Sequence, residues 1–146
     1  MAESIVQEDS GDPWGCFTIM DRPSGPPLFP ILPDDCIEPA ADGKIIFVCT
    51  GAQNGLVSIR AETLTGEPAP CSEGWDEVFD TYVSSVTGEL YLWTGTADLL
   101  PGITQPLCPR PGTYHVRIHI KGRLANRGWA ENVTDESYLV QIWESK

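Results

Sequence analysis

Residues 111–123 read PGTYHVRIHIKGR, and the alternation inside this stretch decides the fold class. At strand period, Tyr114, Val116, Ile118 and Ile120 point to one side, while His115, Arg117, His119 and Lys121 point to the other. The apolar set is the expected core face. The basic set is a cationic ladder on the outside, continued by Arg123 and Arg127. Strand alternation alone therefore explains why both histidines of the chain and several of its bases share one segment.

Working outward, Gly or Pro interrupts nearly every window long enough to carry a helical stripe, and apolar residues alternate in short runs instead. The strand candidates are WGCFTIM (14–20), KIIFVCT (44–50), LVSIRAE (56–62), WDEVFDTYVSSV (75–86), ELYLWTG (89–95), TYHVRIHIKGR (113–123) and ESYLVQIWE (136–144). Asn54-Gly55 supplies the positive-φ positions of a hairpin between 44–50 and 56–62, and Thr87-Gly88 those of a second between 75–86 and 89–95. In ELYLWTG, Leu90 and Leu92 take one face and Tyr91 and Trp93 the other, which predicts a mid-sheet strand covered on both sides. Residues 22–39 contain six prolines and residues 97–112 four, so both are expected as long loops. These spacings, without crossover helices, predict one all-β domain over residues 1–146: an antiparallel two-sheet β-sandwich of about seven to eight strands.

The chain of 146 residues has 21 acids against nine Lys and Arg, a formal net charge of −12. Residues 1–100 hold 17 acids and three bases, net −14, and residues 101–146 four acids and six bases, net +2. Such a balance opposes binding to nucleic acid or to an anionic membrane, where phosphate neutralisation by Lys and Arg supplies the affinity. It points to a basic partner, against the plainer reading that negative charge keeps the protein in solution. The five cysteines form no C-x-x-C pair, and Cys49 sits in the apolar run IIFVC as an inert thiol. The first residues lack the pattern of a secretion signal, no stretch is apolar for the roughly 18 residues of a membrane span, and a reducing cytoplasm is expected. The NVT triplet at Asn132 is without consequence in that compartment.

Three chemistries are open to the basic strand. Metal binding by His115 and His119 needs further ligands that the sequence does not indicate, and a histidine general base needs a nucleophile or an orienting carboxylate in a recognisable setting. Neither is present, so no cofactor, metal or catalytic residue is expected. The third is intramolecular: the ladder pairs across the sheet with acids such as those of WDEVFD.

WDEV at 75–78, TGEL at 87–90, PGTYHVRIHIKGR at 111–123 and the closing ESYLVQIWE occur in an order that resembles the bacterial ComJ-like family, named for a competence-associated nuclease inhibitor. The resemblance covers about residues 75–144. It implies a small non-enzymatic β protein that binds and inhibits a nuclease. An electropositive nuclease cleft suits the acidic charge, and the candidate contacts are Asp76, Glu77 and Asp80 with Asp34, Asp35 and Glu38, beside Trp75 as an aromatic anchor.

Two other readings compete. A ligand- or carbohydrate-binding module would use exposed tryptophans as stacking platforms; Trp129, in the polar segment NRGWAEN, is its candidate, whereas Trp93 and Trp143 are expected in the core. A structural or assembly subunit would use the proline-rich segments as arms that order on a neighbour.

Overall fold

The alternation around Val116 builds the longest strand, Gly112–Lys121. The computed structural model describes residues 4–11, 16–22, 37–39, 45–50, 52–54, 57–69, 73–94, 98–122, 128–129 and 136–145. In chain order the strands are β1 (Ser4–Gly11), β2 (Cys16–Asp21), β3 (Ile37–Pro39), β4 (Ile45–Cys49), β5 (Ala52–Asn54), β6 (Val57–Leu64), β7 (Glu77–Ser85), β8 (Leu90–Thr94), β9 (Gly112–Lys121), β10 (Gly128–Trp129) and β11 (Ser137–Glu144). No helix occurs among the described residues. One sheet runs β1-β6-β11-β9-β7, a second β3-β4-β2-β8, and β10 pairs with β5. Eight strands have five or more residues; the other three have two or three.

The two larger sheets turn their apolar sides to one shared core. Ile59, Val83, Val116, Ile118, Val140 and Ile142 enter from the five-stranded sheet, and Phe17, Ile19, Ile46, Val48, Leu90 and Leu92 from the four-stranded one. Each side chain of this kind contributes about 1.5–3 kcal/mol when fully buried. Phe17 meets Tyr138 edge-on, ring centres 5.2 Å apart, and ties the layers together. Residues 98–111 carry no strand, and their Leu100, Ile103 and Leu107 belong to the same core. Gly102 is needed there: a Cβ at this position would lie 2.4 Å from the carbonyl oxygen of Glu8.

Four expectations are corrected. The sheets are not purely antiparallel, because β11 inserts between β6 and β9, parallel to the first and antiparallel to the second, and β10 lies parallel to β5. Parallel neighbours need a long crossover, and the chain between β6 and β11 provides it. The segments around Asn54-Gly55 do not pair with each other: β4 joins β3 and β2, while β6 joins β1 and β11. Ile46 and Val48 bury from one layer and Val57, Ile59 and Ala61 from the other, so the chain crosses between sheets here.

The same holds at Thr87-Gly88. β7 pairs with β9 and β8 with β2. Gly88 does take a positive φ of 78°, yet the turn is a corner between sheets, fixed from outside by Asp21. That carboxylate accepts hydrogen bonds from the Ser85 hydroxyl and from the amides of Val86 (2.7 Å) and Thr87 (3.1 Å). Lastly, β8 is an edge strand rather than a mid-sheet one. Both of its faces are covered as expected: Leu90 and Leu92 enter the core on one side, and Tyr91 and Trp93 pack with Met20, Ile45 and Leu99 on the other. Its open side is occupied by the loop, through Leu107 N–H to Leu90 O (2.6 Å) and Thr94 N–H to Asp98 O (2.8 Å).

Candidate partner-binding surface

Cross-strand register lays out the outer face of the five-stranded sheet as rows. One row reads Glu8, Arg60, Leu139, His119, Val78; the next Val6, Glu62, Gln141, Arg117, Asp80; the next Leu64, Trp143, His115, Tyr82. Acids stand beside the bases in the first two rows, and Arg60, Arg117 and His115 each find a carboxylate on a neighbouring strand. Arg60 bonds Glu62 at 3.0 Å and Glu8 at 3.3 Å. Arg117 Nε donates to Asp80 Oδ1 at 2.9 Å, and His115 Nε2 donates to the same oxygen at 2.8 Å. Gln141 Nε2 donates to Glu62 at 3.0 Å.

The inward half of the 113–123 alternation is as expected, but the basic half is not an open ladder. His119 is 2% exposed and Arg117 9%, whereas Lys121 is exposed. Aromatic rings from elsewhere in the chain cover them. Trp75 lies 5.5 Å from the His119 ring, Trp143 stacks on His115 at 4.3 Å, Tyr82 packs on His115 at 4.7 Å, and the Arg117 guanidinium sits 5.1 Å from the Trp143 ring centre. Trp143 is buried, but on this outer face rather than in the shared core. Its position was legible: Tyr138, Val140 and Ile142 alternate inward, which leaves Trp143 on the side of the bases.

Electrostatics follow from this packing. Burial alone would raise the Asp80 pKa, but the hydrogen bonds and charge of His115 and Arg117 outweigh it and hold the carboxyl below its ordinary value. Burial pushes the His119 pKa down, against the hydrogen bond that its Nδ1–H donates to Leu139 O (3.2 Å), and the charge of Arg117 lowers it further. Arg117 Nη1 is buried with no hydrogen-bond partner, and the π face of Trp143 beside the guanidinium offsets part of that cost. His115 and His119 stand four residues apart on one strand, about 13 Å, which is too far to share an ion. Among the described residues no cluster of three metal-ligating side chains occurs.

The expected contacts are only partly brought together. Trp75, Asp76, Glu77 and Asp80 lie at the start of β7, on the sheet's edge. Trp75 and Asp80 share the outer face, whereas Glu77 pairs with Ile120 in register and takes the opposite side. Asp76 closes the end of β9, its carboxylate accepting from Gly122 N–H at 2.8 Å and its own amide donating to Ile120 O. Glu38 lies on the short β3 and Trp129 on β10, while Asp34, Asp35, Arg123 and Arg127 fall outside the described residues. The exposed apolar side chains of β7 and its exit were missed: Val78 (37%), Phe79 (36%), Tyr82 (52%) and Val86 (63%). Their signal was present in VFDTYVSSV, where apolar residues occur on both faces of a strand.

A separate cavity of about 410 Å³ opens over β1, β6 and β11, with Trp75 as one wall, Arg60, Glu8 and Asp9 along its sides, and the hydroxyls of Ser10, Ser58 and Ser137 in its lining.

No family model matches the sequence, and no curated protein does. Among solved structures, the protein titled crocagin biosynthetic gene J superposes with a TM-score of 0.64 at 12% identity, over 99% of each chain. ComJ from Bacillus subtilis, titled an inhibitor of the DNA degrading activity of NucA, superposes with a TM-score of 0.55 at 12% identity, again over 99% of each chain. The resemblance expected over residues 75–144 is therefore a likeness of fold that runs almost end to end: this chain has the fold of ComJ and of the crocagin protein.

Proposed function

We propose that the protein is a non-enzymatic acidic binder that occupies the basic cleft of an enzyme, with a nuclease as the first candidate and a two-layer β-sandwich as the platform. The observation that carries this reading is how its charges are distributed. Every described arginine is held by a carboxylate of the same chain: Arg22 by Glu89, Arg60 by Glu8 and Glu62, Arg110 by Glu144, and Arg117 by Asp80. The described arginines are thus neutralised internally, Lys121 is an exposed base among the described residues, and the chain as a whole keeps an excess of 12 negative charges. Glu67 and Glu73 are exposed acids with no basic partner among the described residues. A cleft built to hold DNA is electropositive, and carboxylates compete for it by the same long-range attraction. The fold shared with ComJ favours a nuclease over other basic enzymes.

The test is capture of basic proteins from the host cell at low salt, release by rising salt, and titration of the protein into a DNA-degradation assay of any nuclease released. Inhibition is expected to weaken several-fold as ionic strength rises past the physiological range. Glu73→Lys with Glu77→Lys is expected to weaken it further. Retention of no basic protein at any salt would overturn the reading. A second reading, a binder of a polyhydroxylated ligand, is favoured by the cavity beside Trp75, whose ring and serine hydroxyls suit a sugar face and its hydroxyls. Quenching or shift of Trp75 fluorescence by such ligands, lost in Trp75→Phe, separates it from the first.

A further inference from the structure

Sheet edges are open rows of backbone donors and acceptors, and proteins normally cover or blunt them. Here the segment 98–107 attends to two of the four edges of the two larger sheets. It bonds the open side of β8 through Leu107 and Asp98. It also docks on β1, where the Gln7 amide both donates to Gln105 O (3.1 Å) and accepts from Gln105 N–H (2.8 Å), and Asp9 accepts from Gly102 N–H at 2.8 Å. The third edge, β3, is three residues long. β7 differs from all of these. It has nine residues, pairs only with β9 among the described strands, and contains neither lysine nor proline. Val78 and Tyr82 rise from one face, Phe79 from the other, and Val86 follows at its exit, all exposed.

Charge indicates what such an edge would accept. Residues 73–86 contain Glu73, Asp76, Glu77 and Asp80 and no base. Asp80 already faces Arg117 and His115, so the negative charge of this edge rests on Glu73 and on Asp76, whose carboxylate meets only the Gly122 N–H among the described residues. A second copy of β7 would bring like charges together, whereas an extended basic segment brings opposite ones. We propose that the free side of β7 receives a basic, extended segment of the partner protein as a sixth strand of the large sheet, with backbone hydrogen bonds giving affinity and Val78 and Tyr82 seating alternate apolar side chains. This rests on the reading of the protein as a binder of a basic partner and names the surface through which it binds.

The probe is a labelled nine-residue peptide alternating lysine and valine, matched in length to β7. Its control has the same charge with the two central valines replaced by proline, which removes backbone donors. Fluorescence anisotropy with the full-length protein is expected to give at least about tenfold tighter binding of the alternating peptide. Amide exchange should slow along β7, and Val78→Thr, which keeps charge and strand propensity, should weaken binding. Equal binding of both peptides would leave charge as the driving force and overturn the strand-addition proposal, without touching capture of basic proteins from the cell. Preferential binding of the alternating peptide without any such capture would support the edge and sink the basic-partner reading. Protection of β7 amides by concentration-dependent dimers of the free protein would overturn the choice of occupant.

Discussion

Replacing Asp80 with alanine removes the carboxylate on which a buried guanidinium leans. Arg117 is only 9% exposed, its Nε donates to Asp80 at 2.9 Å, and its Nη1 has no partner. Loss of a hydrogen bond to a charged group costs about 1.5–3 kcal/mol. The Asp80 side chain is 48% exposed, so water screens the pair and refills the vacated site, and the lower end, about 1.5 kcal/mol, is the expected loss. Arg117→Met removes the buried charge while keeping a flexible apolar chain against Trp143, and is expected to cost less than about 1 kcal/mol. The double variant should then be hardly less stable than Arg117→Met alone, a coupling of about 1 kcal/mol. Urea unfolding of the four proteins at pH 7 reads this cycle. A cost for Asp80→Ala below about 0.3 kcal/mol, or strict additivity, would refute the view that the outer rows are held by cross-strand charge pairing.

Other outcomes follow from the same geometry. Asp21→Ala should lose about 2 kcal/mol in urea unfolding, since it strips three hydrogen bonds from the corner between β7 and β8, with Asp21→Asn keeping part of it. His119 has a folded pKa below its ordinary 6.5, so the unfolded chain takes up its proton first; stability is full above about pH 6.5 and falls as pH drops through the interval below it. Thermal unfolding between pH 7.5 and 5 should show that slope, and His119→Gln should remove it. Ile118→Ala, at a fully buried position on β9, should cost about 2–5 kcal/mol, whereas Val86→Ala on the exposed exit of β7 should fall within about 0.5 kcal/mol.

Sequence periodicity located elements better than it located their partners. The alternation Tyr114, Val116, Ile118, Ile120 reports burial directly, because one face meets the core whichever strands lie alongside. Asn54-Gly55 and Thr87-Gly88 are both turn signals, and at Thr87-Gly88 the reversal lies at a sheet corner, which looks locally like one in a hairpin. What distinguishes them at Thr87 is Asp21, remote in sequence and visible only once β2 and β8 are paired. β1 escaped notice because its inward positions are Ile5, Gln7 and Asp9, two of them polar, with amide and carboxylate serving the loop at 102–105. The shielding of Arg117 and His119 was hidden for a related reason: the covering rings of Trp75 and Trp143 come from segments more than 20 residues away. The pairing of the basic strand with WDEVFD was legible, since opposite charges at matching strand positions need no knowledge of topology beyond adjacency.

The place of β11 at the centre of the five-stranded sheet has a consequence for biosynthesis. It is the last of the five to leave the ribosome, yet β6 and β9 both depend on it for a neighbour. Until residues 137–144 emerge, the nascent chain can hold β1 against β6 and β7 against β9, but the two halves stay apart with Ile59 and Ile118 uncovered. Closing the sheet then joins segments more than 70 residues apart, and such non-local pairing is slow, on the order of milliseconds to seconds. During that interval two open edges are available to other chains, so yield in the cell should respond to chaperone supply and to translation rate more than the stability of the finished fold would suggest.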